Sequence, residues 1–493
     1  MNLKSIIKKL GMVMIGTGAT QIINFVFGIV LVRVLTQLDY AVYKQGTIIL
    51  NLALSFFFVI SPISISYFVA KYKEENEKKA VVMNTLISLT IFSIIGSLLL
   101  FFFREDIANL YNNKLLASYM AHFALIIVFE SISSFYANYL VAIDQSKKMA
   151  ITTTLFSVLR VGGLLISLVM QGNLFDNFIL WYVISIAIKT AYIIYDVINN
   201  YKGINYKLDR QIIITQIKFS LPIMFVSIIN VLNANLDKNI IAMLYSPAKF
   251  AVYVNGAFEI PLTAIITTSI TTIMLAEIAK DYDIHNQLKL DNIILGYRKL
   301  TNVIMVIMIP IAFSIFAFGD SIVTLLFSSK YIDCLPLFNI YLLMLVLKSF
   351  NCAVLITGAD NQKQLVYSGI VMIACNAIFI FIVYHLLGFN YLTLAPVLAT
   401  LVMNIMILYY SKVTYKQSSI FKLFPIINFF KICIVCLLLA IAIILLREAF
   451  NITSILSTII FGPLIYGVMV LASGLLIKEI RYVIINKLSS EVK

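Results

Sequence analysis

Charged residues are scarce in this chain of 493 residues, of which Asp, Glu, Lys and Arg together make up only 12%. A soluble globular protein has about a quarter of its residues charged and about half apolar. Here 61% of the residues are hydrophobic and the mean hydropathy is +0.98. No soluble fold could bury so much apolar surface, so lipid must surround much of it. The composition therefore excludes soluble enzymes, nucleic-acid-binding modules and disordered scaffolds.

Residue types that carry metal, redox or nucleotide chemistry are also scarce. The three histidines, His122, His285 and His385, are isolated and form no metal-binding spacing. The five cysteines are odd in number, and the C-x-x-C of Cys433 and Cys436 lies in an apolar run, which favours free buried thiols. No P-loop is present, so the chain is not itself an ATPase. We expect no metal site and no cofactor.

Long apolar runs dominate the sequence. About 20 apolar residues are needed to cross the roughly 30 Å of hydrocarbon in a bilayer. Fourteen runs reach this length, and they are too continuous to be the strands of a β-barrel. We therefore predict an all-α polytopic membrane protein with about 14 transmembrane helices. The runs lie near residues 11–35, 41–70, 80–103, 117–143, 149–171, 175–198, 212–244, 250–279, 300–327, 333–357, 365–387, 391–411, 425–446 and 455–477.

The net charge of +14 reports membrane topology rather than a nucleic-acid partner. With both termini in the cytoplasm, 25 of the 37 Lys and Arg residues fall in cytoplasmic segments, 7 in outside loops and 5 within spans. Adding or losing one helix would exchange the two sides for everything downstream. The bias therefore predicts 14 helices with cytoplasmic N and C termini. The first helix reads as uncleaved, because no small-residue cleavage site follows it.

An internal repeat relates the two halves of the chain. The segment Tyr40–Gly46 (YAVYKQG) recurs 210 residues later as Phe250–Gly256 (FAVYVNG), and the same offset places Lys8 on Lys218. Both copies lie between the first and second spans of a six-span block, so the two blocks have the same orientation in the membrane. This predicts an N-lobe at 1–200 with helices 1–6, a C-lobe at 201–415 with helices 7–12, and helices 13–14 with a basic tail at 416–493.

Two stretches carry a resemblance to a known family. In the first span and the loop after it, the residues are Gly16, Gly18, Gln21, Asn24, Gly28, Arg33-Val34-Leu35 and Asp39 to Tyr43. Around the seventh span, they are Lys218 to Pro222, Asn233, Asn235, Asp237-Lys238, Tyr245 and Phe250 to Tyr253. These residues, with the helix count, resemble the polysaccharide-transport branch of the MOP exporter superfamily, the Wzx-type O-antigen flippases. Lipid II flippases, teichuronic-acid exporters and MATE drug exporters share the motifs.

The resemblance implies a flippase that moves undecaprenyl-diphosphate-linked oligosaccharide from the inner to the outer leaflet by alternating access. It also implies a bacterial inner-membrane location, coupling to H⁺, Na⁺ or the membrane potential, and polysaccharide polymerase and chain-length proteins as partners. The alternative is another cargo in the same fold: lipid II, a teichuronic-type polymer or a drug. A membrane polymerase or ligase is disfavoured because every outside loop is short, and a scaffold is the remaining rival. We therefore predict that the chain is not an enzyme.

Charges inside the predicted spans are the candidate site residues, because each costs about 2.5 kcal/mol or more to insert. Five cations form a predicted cavity for a lipid diphosphate, since Arg and Lys offer fixed donors to phosphate. They are Arg33, Arg160, Lys189, Lys238 and Lys348. The alternative for each of them is a structural ion pair, such as Glu130 with Arg160 or Lys189, or a side chain that extends to the membrane surface.

Three acidic residues, Asp237, Glu259 and Glu130, are candidates for gating or ion coupling. Glu259 lies at a depth similar to that of Lys238, which makes these two a plausible pair; the alternative is a static pair near the headgroups. Pro62 and Pro261 are candidate hinges because proline removes a backbone hydrogen bond and kinks a helix. Ordinary packing is the alternative role for both prolines.

Overall fold

The computed structural model describes residues 3–57, 60, 62, 64–203, 209–450, 455–477 and 481, and these residues form helices without any strand. The α-helices are numbered α1 to α22 in chain order. They are α1 (Leu3–Val34), α2 (Gln37–Phe57), α3 (Ser64–Lys71), α4 (Glu75–Phe102), α5 (Arg104–Leu110), α6 (Lys114–Ser133), α7 (Tyr136–Ala142), α8 (Ser146–Val169), α9 (Leu174–Asn200), α10 (Arg210–Leu244), α11 (Pro247–Gly256), α12 (Pro261–Asp281), α13 (Gln287–Ala317), α14 (Gly319–Phe327), α15 (Leu335–Tyr341), α16 (Leu343–Lys348), α17 (Ala353–Gly358), α18 (Gln362–Leu386), α19 (Leu394–Thr414), α20 (Ile420–Leu423), α21 (Ile426–Ala449) and α22 (Ile455–Leu476). Short 3₁₀ helices lie at Ser329–Cys334 and Phe389–Tyr391.

Eleven helical segments in the described part of the chain are long and apolar enough to cross a membrane, and Gly18–Val34 is a shorter apolar helix. The prediction of an all-α, multi-pass membrane protein is confirmed. The first predicted span coincides with α1. The second coincides with α2 and α3 together, and the eighth coincides with α11 and α12 together. The total of fourteen and the cytoplasmic location of both termini stay predictions.

Several helices begin at polar residues that cap them. The carboxylate of Asp209 accepts from the backbone N–H groups of Gln211 and Ile212 at the start of α10. The Asn286 side chain accepts from the Lys289 N–H at the start of α13. Such caps satisfy N–H groups that have no partner inside the helix. These short polar segments therefore set where the membrane helices begin.

The chain forms two compact units, Met1–Ala251 and Val252–Lys493, here called the first and second units. The division falls inside α11 rather than in the link near residue 200. The reason is that α10, the first helix of the second repeat, packs against α2 and α4. At its start, Gln216 donates to the hydroxyl of Thr85 at 3.1 Å. The three-part division at 1–200, 201–415 and 416–493 rests on the repeat and stays a prediction.

The first unit has a dense core where α3, α4 and α7 meet. Phe68, Phe135 and Tyr139 are almost completely buried there. In the same unit, α1 packs on α8, and α6 packs on both α4 and α9. This arrangement brings α1, α6, α8 and α9 together around a cavity.

The second unit is organised around α13, whose membrane-spanning part is two-thirds buried. α12, α16, α21 and α22 all pack against it. The two C-terminal helices are therefore part of the second unit. At the end of α21, Arg447 donates to both carboxylate oxygens of Asp320, at 3.0 and 3.1 Å.

Equivalent glycines of the repeat lie at equivalent close contacts. A Cβ on Gly46 would lie 2.0 Å from the ring of Phe123 in α6, the predicted fourth span. A Cβ on Gly256 would lie 2.4 Å from Leu337 in α15, in the predicted tenth span. The fourth span of each block thus packs against the same glycine of the repeated motif. This supports the repeat by an observation that is independent of the sequence match.

The two predicted hinge prolines lie where helices are interrupted. Pro62 is buried in the segment between α2 and α3, and Pro261 is the first residue of α12, after the break that follows Gly256. In contrast, α10 and α13 continue through Pro222 and Pro310. The interruptions fit the backbone preference of proline, while motion at Pro62 and Pro261 stays a prediction.

Candidate functional site

A polar cavity of about 200 Å³ lies within the first unit, where α1, α6, α8 and α9 meet. Three of the predicted site residues, Arg160, Lys189 and Glu130, lie on its wall. The full lining is Thr20, Asn24, Glu130, Thr153, Phe156, Ser157, Arg160, Tyr182, Ser185, Ile186 and Lys189. Residues separated by as many as 169 positions in the sequence therefore meet in one place.

Arg160 is held by Asn24 and by two aromatic rings. Its Nη2 donates to the side-chain oxygen of Asn24 on α1. The guanidinium carbon lies 5.0 Å from the ring centre of Phe27 and 5.7 Å from that of Tyr182, which is the range of cation–π attraction. Its Nε has no acceptor among the described residues although the atom is buried. Arg160 itself lines the cavity, so its guanidinium group is placed beside the space that a ligand would occupy.

Lys189 and Glu130 form an ion pair across the cavity wall, with Nζ 3.4 Å from Oε2. Their side chains are 26% and 33% exposed, so water or a ligand reaches both of them. Of the two partners that the sequence leaves open for Glu130, the structure brings Lys189 into contact with it. The contact is longer than a typical charge-assisted hydrogen bond of about 2.8 Å.

The cavity carries two cations and one carboxylate. Since Glu130 is already paired with Lys189, the guanidinium of Arg160 is an excess positive charge. The attraction between charges is stronger here than in water because the surroundings are less polarisable. Hydroxyls of Ser157 and Thr153 add neutral hydrogen-bonding groups. The arrangement can therefore bind an anion together with neighbouring polar groups.

Two further site residues pair within the second unit. Nζ of Lys348 lies 2.7 Å from Oε2 of Glu259, and the hydroxyl of Tyr341 donates to Oε1 at 3.4 Å. Counting residues along the spans places Glu259 in the outer half and Lys348 nearer the cytoplasm, and suggests Lys238 as the partner. In the structure Lys348 is an ion-pair partner of Glu259, while the depths of these residues in the membrane stay predictions.

The remaining predicted site residues lie apart from the cavity. Asp237 is buried in α10, and its carboxylate lies 3.8 Å from Nζ of the adjacent Lys238. Lys238 also donates to the carbonyl of Ala234 in its own helix. Arg33 is exposed in the last turn of α1. None of these three lines the cavity, and their roles in binding or gating stay predictions.

The predicted tenth span is discontinuous. It is built from α15, α16 and α17, with non-helical residues between Lys348 and Ala353. The carbonyls at the break are satisfied by other helices: Tyr297 donates to Phe350 O at 2.6 Å and Asn404 donates to Leu347 O at 3.1 Å. Irregular backbone at membrane depth is tolerated where protein buries it or where it borders a water-filled cavity. Breaks of this kind are common at transporter binding sites.

The partners of the charged residues have little or no local signal in the sequence. Asn24 is named by the family resemblance, but its bond to Arg160 depends on the packing of α1 against α8. Phe27 and Tyr182 look like ordinary apolar residues of a span, and no local pattern marks them. The break after Lys348 has a weak signal in the run Lys348-Ser349-Phe350-Asn351-Cys352, where polar residues interrupt an apolar stretch.

Comparisons with known proteins are consistent with this architecture. A family model described as "Polysaccharide biosynthesis protein" matches residues 30–336. A comparison with curated protein sequences finds no match.

Solved structures share the fold at low sequence identity. One is a lipid II flippase, MurJ, in an inward closed conformation; it is 16% identical, has a TM-score of 0.71 and covers 93% of this chain and 97% of that chain. Another is an outward-facing multidrug resistance MATE family transporter of the MOP superfamily, 16% identical, with a TM-score of 0.57, covering 84% of this chain and 97% of that chain. A third is a MOP superfamily transporter from Pyrococcus furiosus. It is 16% identical, has a TM-score of 0.57 and covers 84% of this chain and 96% of that chain. At such identities the likeness shows the fold alone.

Proposed function

This chain belongs to the polysaccharide biosynthesis protein family and has the fold of MOP-superfamily transporters, and from this premise we propose that it is a flippase for a lipid-linked saccharide. Membership confirms the resemblance to the polysaccharide-transport branch of that superfamily. The fold is shared with transporters, and this likeness supports transport as the activity rather than polymerisation or ligation. The cargo and the mechanism are the parts that we propose.

The observation that carries the proposal is the cavity around Arg160. A lipid-linked saccharide has a negatively charged diphosphate that must cross a region of low polarity. Arg160 offers a planar donor group on the wall of this cavity, where Asn24 and two aromatic rings fix it. Arg binds phosphate oxygens in a forked geometry. We propose that this guanidinium and the ammonium of Lys189 hold the diphosphate.

We propose that the cargo is an undecaprenyl-diphosphate-linked oligosaccharide, such as an O-antigen repeat unit, moved from the inner to the outer leaflet of the bacterial inner membrane. Polysaccharide polymerase and chain-length proteins are the partners that would act on it after transport. A lipid II-like cargo is the second candidate. It is favoured over a drug because the chain matches MurJ over more of its length and with a higher TM-score than the MATE transporters.

We also propose that transport is coupled to H⁺, Na⁺ or the membrane potential through acidic residues of the spans. Glu130 is the strongest candidate, since its carboxylate is partly exposed in the cavity and its contact with Lys189 is long. An arriving diphosphate would compete with Glu130 for Lys189. Glu259 and Asp237 are the other two candidates.

Depletion of the protein in the organism that makes it tests the proposed function. Lipid-linked oligosaccharide should accumulate in the inner leaflet, and surface polysaccharide should decrease. Wild-type protein should restore both, and Arg160→Gln expressed at the same level should not. Unchanged amounts of lipid-linked oligosaccharide and of surface polysaccharide after depletion would refute the proposal.

A further inference from the structure

Three hydroxyls on the wall of the Arg160 cavity have their hydrogens already committed to the protein. Thr153 and Ser157 lie on α8, Ser185 lies on α9, and all three line the cavity. Each hydroxyl donates to a backbone carbonyl about one turn earlier in its own helix: Thr153 to Met149 at 2.8 Å, Ser157 to Thr153 at 3.0 Å and Ser185 to Tyr182 at 2.8 Å. A hydroxyl has one hydrogen and two acceptor lone pairs. What these groups offer to a ligand is therefore an acceptor.

A diphosphate does not match these acceptors. Its ionised oxygens accept hydrogen bonds and donate none, so they pair with the N–H groups of Arg160 and Lys189. The hydroxyls instead require a ligand group that carries an O–H or N–H hydrogen. The wall of the cavity thus combines donors that fit an anion with acceptors that fit a different, hydrogen-bearing group.

The two serines of the cavity wall lie close to its cations. Ser157 is three residues before Arg160 on α8, and Ser185 is four residues before Lys189 on α9. Residues three or four apart are neighbours on one face of a helix. A group attached to an anion that both cations hold is therefore placed beside the serines.

The two cavity serines also belong to one stretch of the wall. α8 packs against α9. The guanidinium carbon of Arg160 lies 5.7 Å from the ring centre of Tyr182, and the ring centres of Phe156 and Tyr192 are 5.6 Å apart. Residue numbers thus fall along α8 as they rise along α9, so the helices are antiparallel. Both serines lie in sequence between these two contacts, and a single ligand group can reach both.

The size and lining of the cavity limit which part of a ligand it admits. Sites for drug-sized ligands have volumes of about 300–1,000 Å³, and this cavity measures about 200 Å³. It therefore holds only part of a lipid-linked saccharide. Phe156 and Ile186 place apolar side chains among the polar ones, a mixture that is typical of sites for organic ligands. The part that fits is the diphosphate with the sugar next to it.

We propose that Ser157 and Ser185 recognise the sugar attached directly to the diphosphate, by accepting from its hydroxyl or amide hydrogens. The inference rests on the proposed function, in which Arg160 and Lys189 hold the diphosphate. The two serines are then specificity-determining residues for the first sugar of the cargo. Their effect on binding should appear only when the lipid diphosphate carries a saccharide.

Native mass spectrometry of the purified full-length protein tests the inference with two probes. One is undecaprenyl diphosphate, and the other is the pool of lipid-linked oligosaccharides extracted from the organism that makes the protein. Changing both Ser157 and Ser185 to alanine removes two neutral hydrogen bonds, so the oligosaccharide lipid should bind about tenfold more weakly. Binding of undecaprenyl diphosphate should stay within about twofold of wild type. Ser157→Thr keeps the hydroxyl and should bind both lipids as wild type does.

Two serines outside the cavity lining provide a matched control. Ser167 of α8 donates to the carbonyl of Gly163 at 2.7 Å, and Ser93 of α4 donates to that of Thr90 at 3.0 Å. They make the same kind of backbone bond as the two cavity serines, and neither lines the cavity. The double variant Ser167→Ala with Ser93→Ala should bind both lipids as wild type does. Its thermal unfolding midpoint should match that of the cavity double variant, which separates recognition from folding.

Three results would overturn the inference. The first is unchanged binding of the oligosaccharide lipid in the cavity double variant, and the second is equal weakening of both lipids in it. The third is the same selective loss in the control double variant, which would trace the effect to helix packing. A wild-type protein that does not bind the oligosaccharide lipid would instead refute the proposed function, and the inference with it.

Discussion

Nζ of Lys189 lies 3.4 Å from Oε2 of Glu130 on the wall of a cavity that also holds Arg160. This pair links the charge balance of the cavity to the arrival of an anion. A diphosphate that binds Arg160 and Lys189 must compete with Glu130 for the ammonium. Because of this competition, replacing Glu130 and replacing Lys189 should have opposite effects on the affinity for an anion.

Removing the carboxylate should strengthen anion binding. Glu130→Gln leaves Arg160 and Lys189 without a counter-charge, so undecaprenyl diphosphate should bind about tenfold more tightly. Lys189→Met should weaken it by a similar factor, and Lys189→Arg should stay near wild type. Native mass spectrometry with the sugarless lipid measures all three. Unchanged affinity in Glu130→Gln would show that the pair does not compete with the cargo.

The geometry of the Arg160 guanidinium should matter as well as its charge. Charge-assisted hydrogen bonds contribute about 1.5–3 kcal/mol each, so Arg160→Gln should weaken lipid diphosphate binding by about 10- to 100-fold. Arg160→Lys keeps the charge and loses the forked donor group. Its affinity for the lipid diphosphate should therefore lie between that of wild type and that of Arg160→Gln. Equal affinity of the Lys variant and wild type would exclude forked recognition of phosphate.

The two repeat glycines should not accept a methyl group. Gly46→Ala and Gly256→Ala place a Cβ within 2.0 Å of Phe123 and 2.4 Å of Leu337, and overpacking of this kind costs about 1–3 kcal/mol. Thermal unfolding in detergent should show a lower midpoint for both. Gly162→Ala is the matched control, because a Cβ added there would meet no atom within 4 Å. A drop in the control alone would contradict the packing argument.

The ion pair of Arg447 and Asp320 should fasten α21 to α14. Arg447 also donates to the carbonyl of Ala317 at 2.6 Å and lies 4.7 Å from the ring centre of Phe318. Arg447→Met should therefore lower the thermal unfolding midpoint while lipid binding stays unchanged. Arg104 provides a control, since its contacts to Phe101 and Glu105 are local ones, so Arg104→Met should leave the midpoint close to that of wild type. Loss of lipid binding in Arg447→Met at normal stability would assign Arg447 to the cargo path.

The fold was largely readable from the sequence because lipid imposes a simple rule. Every span must be long and apolar, and its backbone groups must form hydrogen bonds within the span. The predicted run 300–327 therefore corresponds to α13 and α14, and the run 425–446 corresponds to α21. The close contacts at Gly46 and Gly256, where a side chain leaves no room for a Cβ, support the repeat that the sequence predicts.

The partners within the site were not readable, because pairing depends on packing between distant helices. The sequence identified Arg160, Lys189 and Glu130 as costly charges, and the structure places all three around one cavity. It suggested Lys238 as a partner of Glu259, whereas the contact that the structure shows is with Lys348, at the end of α16 in the broken tenth span. The sequence shows which charged residues are costly to place in a membrane, whereas the contacts of these residues depend on how the helices pack in the fold.

Transbilayer movement in proteoliposomes tests the central claim most directly. Lipid-linked oligosaccharide from the native organism would be reconstituted with the purified protein, and a membrane-impermeant glycosidase would report the fraction reaching the outer leaflet. The account predicts that wild-type protein increases this fraction with time and that Arg160→Gln, reconstituted in equal amount, does not. Equal movement in wild-type, Arg160→Gln and protein-free vesicles would contradict it.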